Sequence, residues 1–282
     1  MAIPVDPPHD ERELPRAPSE AEWADLSEAD RDRVVAALPP SLPAWANPPE
    51  GDRHRNEKER TGDTLRRFFR KSGRRMYVSS ELATYYPAEP PFSPDVLVVR
   101  DVEDRERSSW VVSKEGKGLD LVVELHDQGD GAKDLVRNVQ RFARLGIAEY
   151  FVVDLATARL HGFRLPARGR AYDRLVPQAG AFASQVLGLD LRLEGRRLRF
   201  FLGTAAVADA DDLIARLERA VDDAVESREA EAEARRAAEV RAEVEAHGRQ
   251  AEAEARQAEA EARARAEREI ERLREELRKR GG

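Results

Sequence analysis

The chain of 282 residues contains no cysteine. Disulfides and thiolate metal sites are therefore excluded, and any bound ion must rely on oxygen and imidazole ligands. The lack also fits a reducing compartment. No stretch approaches the ~18 consecutive apolar residues of a membrane-spanning helix. The opening MAIPVDPPHDERELPR lacks the apolar core of a secretory signal. A soluble, cytoplasmic protein without a membrane partner is the expectation. Proline is missing from residues 209–280, where Gly248 is the single glycine. That absence removes the usual helix breakers from the last quarter of the chain.

What is present divides into three regions. Residues 1–50 are rich in Pro, Glu and Asp, with 4 basic and 11 acidic side chains, net −7. They read as an acidic, mostly disordered arm, with one helix over SEADRDRVVAAL capped by Ser27 and stopped by Pro39. Residues 204–282 have 16 basic and 22 acidic side chains, net −6, and consist largely of Ala, Glu and Arg. These are strong helix formers, so one long helix is expected. Leu213, Leu217, Ala220 and Ala224 step by four and three residues, as do Ile270, Leu273 and Leu277. That spacing is heptad-like and suggests a coiled-coil homodimer. The seam between is mostly alanine, so a solitary helix held by Glu/Arg pairs is the alternative.

The middle, residues 51–203, has 28 basic and 22 acidic side chains, net +6, which is compatible with a polyanionic ligand. Helix and strand signals alternate there. NEKERTGDTLRRFFRKSG predicts a helix ending at Gly73. RRMYVSSEL, PDVLVV, LDLVVEL, EYFVVD and LHGFRL predict strands, and LDLRLEGRRLRFF a hairpin turning at Glu194-Gly195. AKDLVRNVQRFARLG predicts a helix between LVVEL and YFVVD, hence a parallel pair joined by a crossover. The expected class is α/β, a mixed central sheet flanked by helices, plus the long C-terminal helix.

Within LDLVVELHDQGDGAKD an apolar strand ends in Glu124, followed by His126 and Asp127. Ionised groups in an apolar setting are costly unless paired or metal-bound. Asp95 follows Pro94 at the start of DVLVV, 29 residues earlier. On neighbouring strands the two carboxylates could reach one point and hold Mg²⁺ or Mn²⁺.

This order resembles the PD-(D/E)XK nuclease superfamily, in which a Pro-Asp on one strand precedes a Glu/Asp-x-Lys on the next. Pro94-Asp95 and Glu124-Leu125-His126 occupy those elements, with His126 in the place of lysine. ELHDQGDGAKDLVRNVQRFARLGIAEYFVVD further resembles the large bacterial family of restriction-endonuclease-like proteins, the likeness spanning roughly residues 52–203. Glu124, Asp134, Phe142 and GIAEYFVVD match its pattern, whereas Asn138 stands where that family often carries a lysine. The resemblance implies a restriction-endonuclease-like fold and metal-dependent hydrolysis of DNA. Asp95 and Glu124 would hold the metal, Lys133 or His126 would assist, and Glu57 on the first helix would add an acid.

Each residue has a plainer reading. Asp95 could be a strand-entry turn residue, His126 a satisfied strand-end imidazole, and Lys133 a solvated helix start. Glu81 in VSSEL rivals Glu57, and His54 is a weaker candidate. RRFFRKSGRR brings Arg66, Arg67, Arg70, Lys71, Arg74 and Arg75 together as a candidate phosphate-backbone contact. A helix end favoured by its dipole would look the same. Asn138 also leaves open a catalytically silent module that binds nucleic acid or protein, or an adaptor whose head caps a rod.

Overall fold

The computed structural model describes residues 14–43, 50–127 and 133–280. Contacts divide the chain into two units, residues 1–213 and 214–282.

The first unit is built on a six-stranded sheet in the order β1 (Met76–Ser79), β3 (Val96–Arg100), β5 (Leu121–His126), β6 (Glu149–Asp154), β7 (Arg159–Arg164), β8 (Asp173–Arg174). Among the described pairs of this sheet, only β5 and β6 run parallel. Their connection carries a π-helical turn, Lys133–Asn138, and helix α5 (Val139–Arg144). This is the crossover that the apolar runs LVVEL and YFVVD predict, since a parallel pair cannot close through a hairpin.

Strands β3, β5 and β6 are buried on both faces because alternate residues enter two different cores. Val96, Val98, Leu121, Val123, Phe151 and Val153 join one with Leu65 and Phe69 of α3 (Asp52–Ser72). Leu97, Val99, Val122, Tyr150 and Val152 face the other with Phe142 of α5 and Trp110. A second sheet, β12 (Ala205–Ala206), β11 (Arg197–Leu202), β10 (Leu189–Glu194) and β9 (Phe182–Ser184), adds Leu189, Leu191, Leu198 and Phe200 to the first core. Gly162 on β7 permits this closeness: a Cβ there would sit 2.9 Å from both the Phe151 and Phe182 rings. A short parallel pair, β2 (Thr84–Tyr85) and β4 (Trp110–Val111), and the turn of helix α4 (Val112–Glu115) complete the unit.

Over residues 14–43 the N-terminal segment carries the expected helix after Ser27 and a second, shorter one before it. Helix α1 (Glu20–Asp25) is capped reciprocally by Ser19 and Glu22, and α2 (Glu28–Ala37) by Ser27. Ala17 and Leu38 pack with Ala83, Tyr85 and Val111, and Tyr85 Oη donates to Pro39 O at 2.7 Å. A few buried side chains, about 1.5–3 kcal/mol each when large, suffice to hold a proline-rich segment whose unfolded entropy is already reduced.

The second unit is the bulk of α6 (Ala210–Arg280). The first residues of α6 belong to the first unit and are fixed there by a mutual cap: Asp209 N–H donates to Asp212 and Asp212 N–H to Asp209, with Arg199 bridging both carboxylates at 2.6 and 2.7 Å. Further along, surface pairs such as Arg235–Glu239 and Arg263–Glu267 support the helix locally. Among the described residues no helix is long and apolar enough to cross a membrane.

Candidate metal centre and active site

The antiparallel register sets Val96 opposite Val123, so Asp95, one residue earlier, comes beside Glu124. The Asp95 N–H lies 3.4 Å from Glu124 Oε2, and Asp95 Oδ2 accepts from the Leu125 N–H at 2.6 Å. Each acid is thus anchored on the other's strand. Asp95 is buried.

The other half of the site comes from α3 and from Glu50, two residues before it. His54 and Lys58, four residues apart, share one face of α3, and Glu50, just before its N-cap Gly51, reaches both. His54 Nε2 lies 3.0 Å from Asp95 Oδ1 and 3.1 Å from Glu50 Oε1. Lys58 Nζ pairs with Glu50 Oε2 and, at 2.6 Å, with Glu81 Oε1. Glu81 is held there by its N–H to Pro94 O, with its backbone at φ +52°. The chain of contacts runs Glu124, Asp95, His54, Glu50, Lys58, Glu81.

Electrostatics follow from this enclosure. Burial alone would push the His54 imidazole down, but hydrogen bonding to Asp95 and Glu50, and their charge, raise it from 6.5 to about 9. Burial would raise Glu50; His54 and Lys58 outweigh it and bring the carboxyl to about 2. Burial opposes the charge on Lys58, yet Glu50 and Glu81 raise its pKa. Four carboxylates (Glu50, Glu81, Asp95, Glu124) face two cations (His54, Lys58), a formal charge of −2.

The donor set fits a divalent cation. One ligand atom each from Glu50, His54 and Asp95 lies within 4.8 Å of the others. The buried His54 Nε2 is flanked by a carboxylate oxygen on two sides. Separations near 3 Å are those of adjacent ligands around an ion with bonds of about 2.1 Å.

The remaining sequence candidates fall elsewhere. Glu57, one residue before Lys58, is rotated about 100° around the helix and lies against β11. Its carboxylate accepts from Leu198 N–H at 2.6 Å and from Arg60 at 2.5 Å. The α3 residues facing Asp95 are therefore His54 and Lys58 in its place. His126 shares the Glu124 face of β5 and lies opposite Asp154 in the register of β6. The backbone of Lys133 opens the π-helical turn, and its side chain lies outside the described residues. Asn138 is buried at the end of that turn.

The basic cluster at the end of α3 is divided. Arg74 donates to the carbonyls of Leu187 and Val186 and lies over the Phe69 ring. Arg66 pairs with Asp63 at 2.6 Å, and Arg70 reaches Asp104 at 3.6 Å. Lys71 and Arg75 are exposed. Glu50 and Lys58 escaped the sequence reading, although the four-residue spacing Glu50, His54, Lys58 was the signal that could have found them.

The model of the Uma2 family, described as "Putative restriction endonuclease", matches residues 44–195, more than half of the chain. The chain belongs to the Uma2 family. Among solved structures it is similar to a "putative nuclease belonging to DUF820" from Anabaena variabilis, at 13% identity and a TM-score of 0.41, over 52% of this chain and 80% of that one. No curated protein matches it.

Proposed function

We propose that the protein is a divalent-metal-dependent endonuclease that hydrolyses phosphodiester bonds of DNA. The observation that supports this reading best is the convergence of Asp95, held beside Glu124 by the strand register, with His54 and Glu50 in one cluster of candidate ligands. Asp95, His54 and Glu50 would hold Mg²⁺ or Mn²⁺, with Glu124 beside them. A divalent cation there would supply a water of lowered pKa and a counter-charge for the phosphate. The Leu125 N–H fixes one oxygen of Asp95 so that the other faces His54. Lys58, with a side chain 4% exposed, is too enclosed to touch a substrate and positions Glu50. His126, on the Glu124 face, or Lys133 would act on the phosphate or the attacking water.

A second reading is a catalytically silent nucleic-acid-binding module, favoured by the buried Asn138 where relatives often carry lysine. Incubation of the purified protein with plasmid DNA and Mg²⁺ or Mn²⁺, beside Glu124→Ala, separates the two. Nicking by the wild type alone supports the enzyme; no nicking with either ion supports the silent module.

The long helix would join two copies. Leu213, Leu217, Val221 and Val225 near its start and Ile270 and Leu273 near its end are exposed; the Leu277 side chain lies outside the described residues. Light scattering of the full chain should give twice the chain mass, and a truncation at residue 205 the mass of one chain. A single-chain mass for both means a solitary helix.

A further inference from the structure

The edge of the sheet beyond β6 carries a cleft that the metal centre does not use. It has a volume of about 330 Å³, and its lining includes the polar Arg159, His161 and Arg174 and the apolar Leu175, Pro177 and Phe182. It exists because β8 is only two residues long. That strand pairs with Phe163 and Arg164, and the chain then leaves the sheet at Pro177. The Arg159–His161 stretch of β7 thus has a strand neighbour on one side only, among the described ladders.

Charges on an exposed strand edge commonly serve to prevent unwanted pairing. Here they converge instead. Arg174, from another strand, donates to His161 Nδ1 at 2.9 Å, which requires the ring to accept as a neutral imidazole. Burial and the Arg174 charge lower the His161 pKa in the same sense. Arg159 and Arg174 are exposed and have no carboxylate partner among the described residues. The nearby Asp154 is turned to the Thr157 N–H at 2.8 Å.

Register relates this cleft to the metal centre. Glu124 lies opposite Val152, and Val152 opposite His161, in one cross-strand row. Two strand spacings of ~4.8 Å place His161 about 10 Å from Glu124. At ~3.4 Å of rise per nucleotide, this is the span of two or three nucleotides.

Resting on the nuclease reading above, we propose that this cleft seats a nucleotide of the substrate strand flanking the bond to be cut. Arg159 and Arg174 hold its phosphates, and Leu175, Pro177 and Phe182 form an apolar wall for its base. A cleft of this size suits one small polar-and-apolar ligand group.

The test uses the full-length chain carrying Glu124→Gln, so that a fluorescein-labelled DNA oligonucleotide is bound without being cut. Fluorescence anisotropy is followed from about 50 to 200 mM salt. Adding Arg159→Ala and Arg174→Ala should weaken binding about tenfold and lower the log–log salt slope by about 1.4 to 1.8, the loss of two phosphate contacts. Arg159→Lys with Arg174→Lys should retain most of the slope, because lysine keeps the point charge. Arg235→Ala on α6 should change neither quantity. Oligonucleotide binding that is indifferent to both cleft substitutions overturns the cleft and leaves the nuclease reading standing. No binding of any oligonucleotide by the Glu124→Gln chain overturns both.

Discussion

At its N-terminal end α3 turns His54 and Lys58, both largely buried, into a set of four carboxylates. At its C-terminal end it carries a denser run of cations, Arg66, Arg67, Arg70 and Lys71, with Arg74 just beyond it. The first group is sparse in sequence but enclosed, and its members set one another's protonation. The second is conspicuous in sequence but dispersed, with Arg74 tied to backbone carbonyls and Arg70 and Lys71 open to solvent. Coulomb attraction over ~4 Å is worth about 1 kcal/mol in water and several times that near a protein interior. The enclosed end should therefore dominate both chemistry and stability.

The largest effect should follow from the acids at the enclosed end. Asp95→Asn or Glu124→Gln should lower metal-dependent cleavage of plasmid DNA at least about 100-fold, the scale seen when one well-placed electrostatic group is lost. Both substitutions keep size and remove charge, so circular dichroism should be unchanged. A residual rate within tenfold of wild type for both would place the chemistry elsewhere.

Next should come Lys58→Met. It leaves Glu50 and Glu81 without their shared cation in a site where Lys58 is 4% exposed and Glu50 17%. Removing one partner of a buried pair typically costs about 3–5 kcal/mol; the exposure of Glu81 points to the lower bound. Urea denaturation would read this, and combining Lys58→Met with Glu50→Gln should recover part of the loss. A cost below about 1 kcal/mol would mean that the pair is screened as at a surface.

These same residues show what the sequence could and could not reveal. Strands β3, β5 and β6 were legible because burial on both faces leaves continuous apolar runs, and Glu124 stood out as a carboxylate inside one. The neighbouring placement of Asp95 follows from the same runs. The phase of α3 was not legible: one step along the helix decides whether Glu57 or Lys58 meets Glu81, and the packing of β11 chooses. Glu50 lies at the end of a proline-rich segment and read as part of a disordered arm. The cover that orders residues 14–43 comes from Tyr85 and Val111, far along the chain. The apparent unity of RRFFRKSGRR was also misleading, since Arg74 is claimed by carbonyls 112 and 113 residues away.

A third, intermediate effect concerns pH. The folded His54 pKa of about 9 exceeds its unfolded value of 6.5. Its contribution to metal-free stability is thus complete below about pH 6.5 and disappears as pH rises through about 9. Glu50, lowered from 4.5 to about 2, contributes above about pH 4.5 and loses that contribution toward pH 2. In chelator, the gap in melting temperature between wild type and His54→Gln should shrink between pH 6.5 and 9.5. With Mn²⁺ present the trend should reverse, because an ion and a proton compete for Nε2 and higher pH favours the ion. Parallel curves under both conditions would remove His54 from the proposed centre.

The smallest effects belong to the dispersed end, and they separate a structural cation from a solvated one. Arg74→Ala removes bonds to Leu187 and Val186 and the contact over Phe69. It should cost about 1–2 kcal/mol of stability, the scale for a hydrogen bond from a charged donor plus lost packing. Lys71→Ala removes an exposed side chain and should change stability by no more than about 0.5 kcal/mol. If Lys71 meets a phosphate, its loss should also lower the salt slope of oligonucleotide binding by about 0.9. An unchanged slope would leave Lys71 as a cation favoured only by the helix C-terminus, worth about 0.3–1 kcal/mol at low salt and less as salt rises.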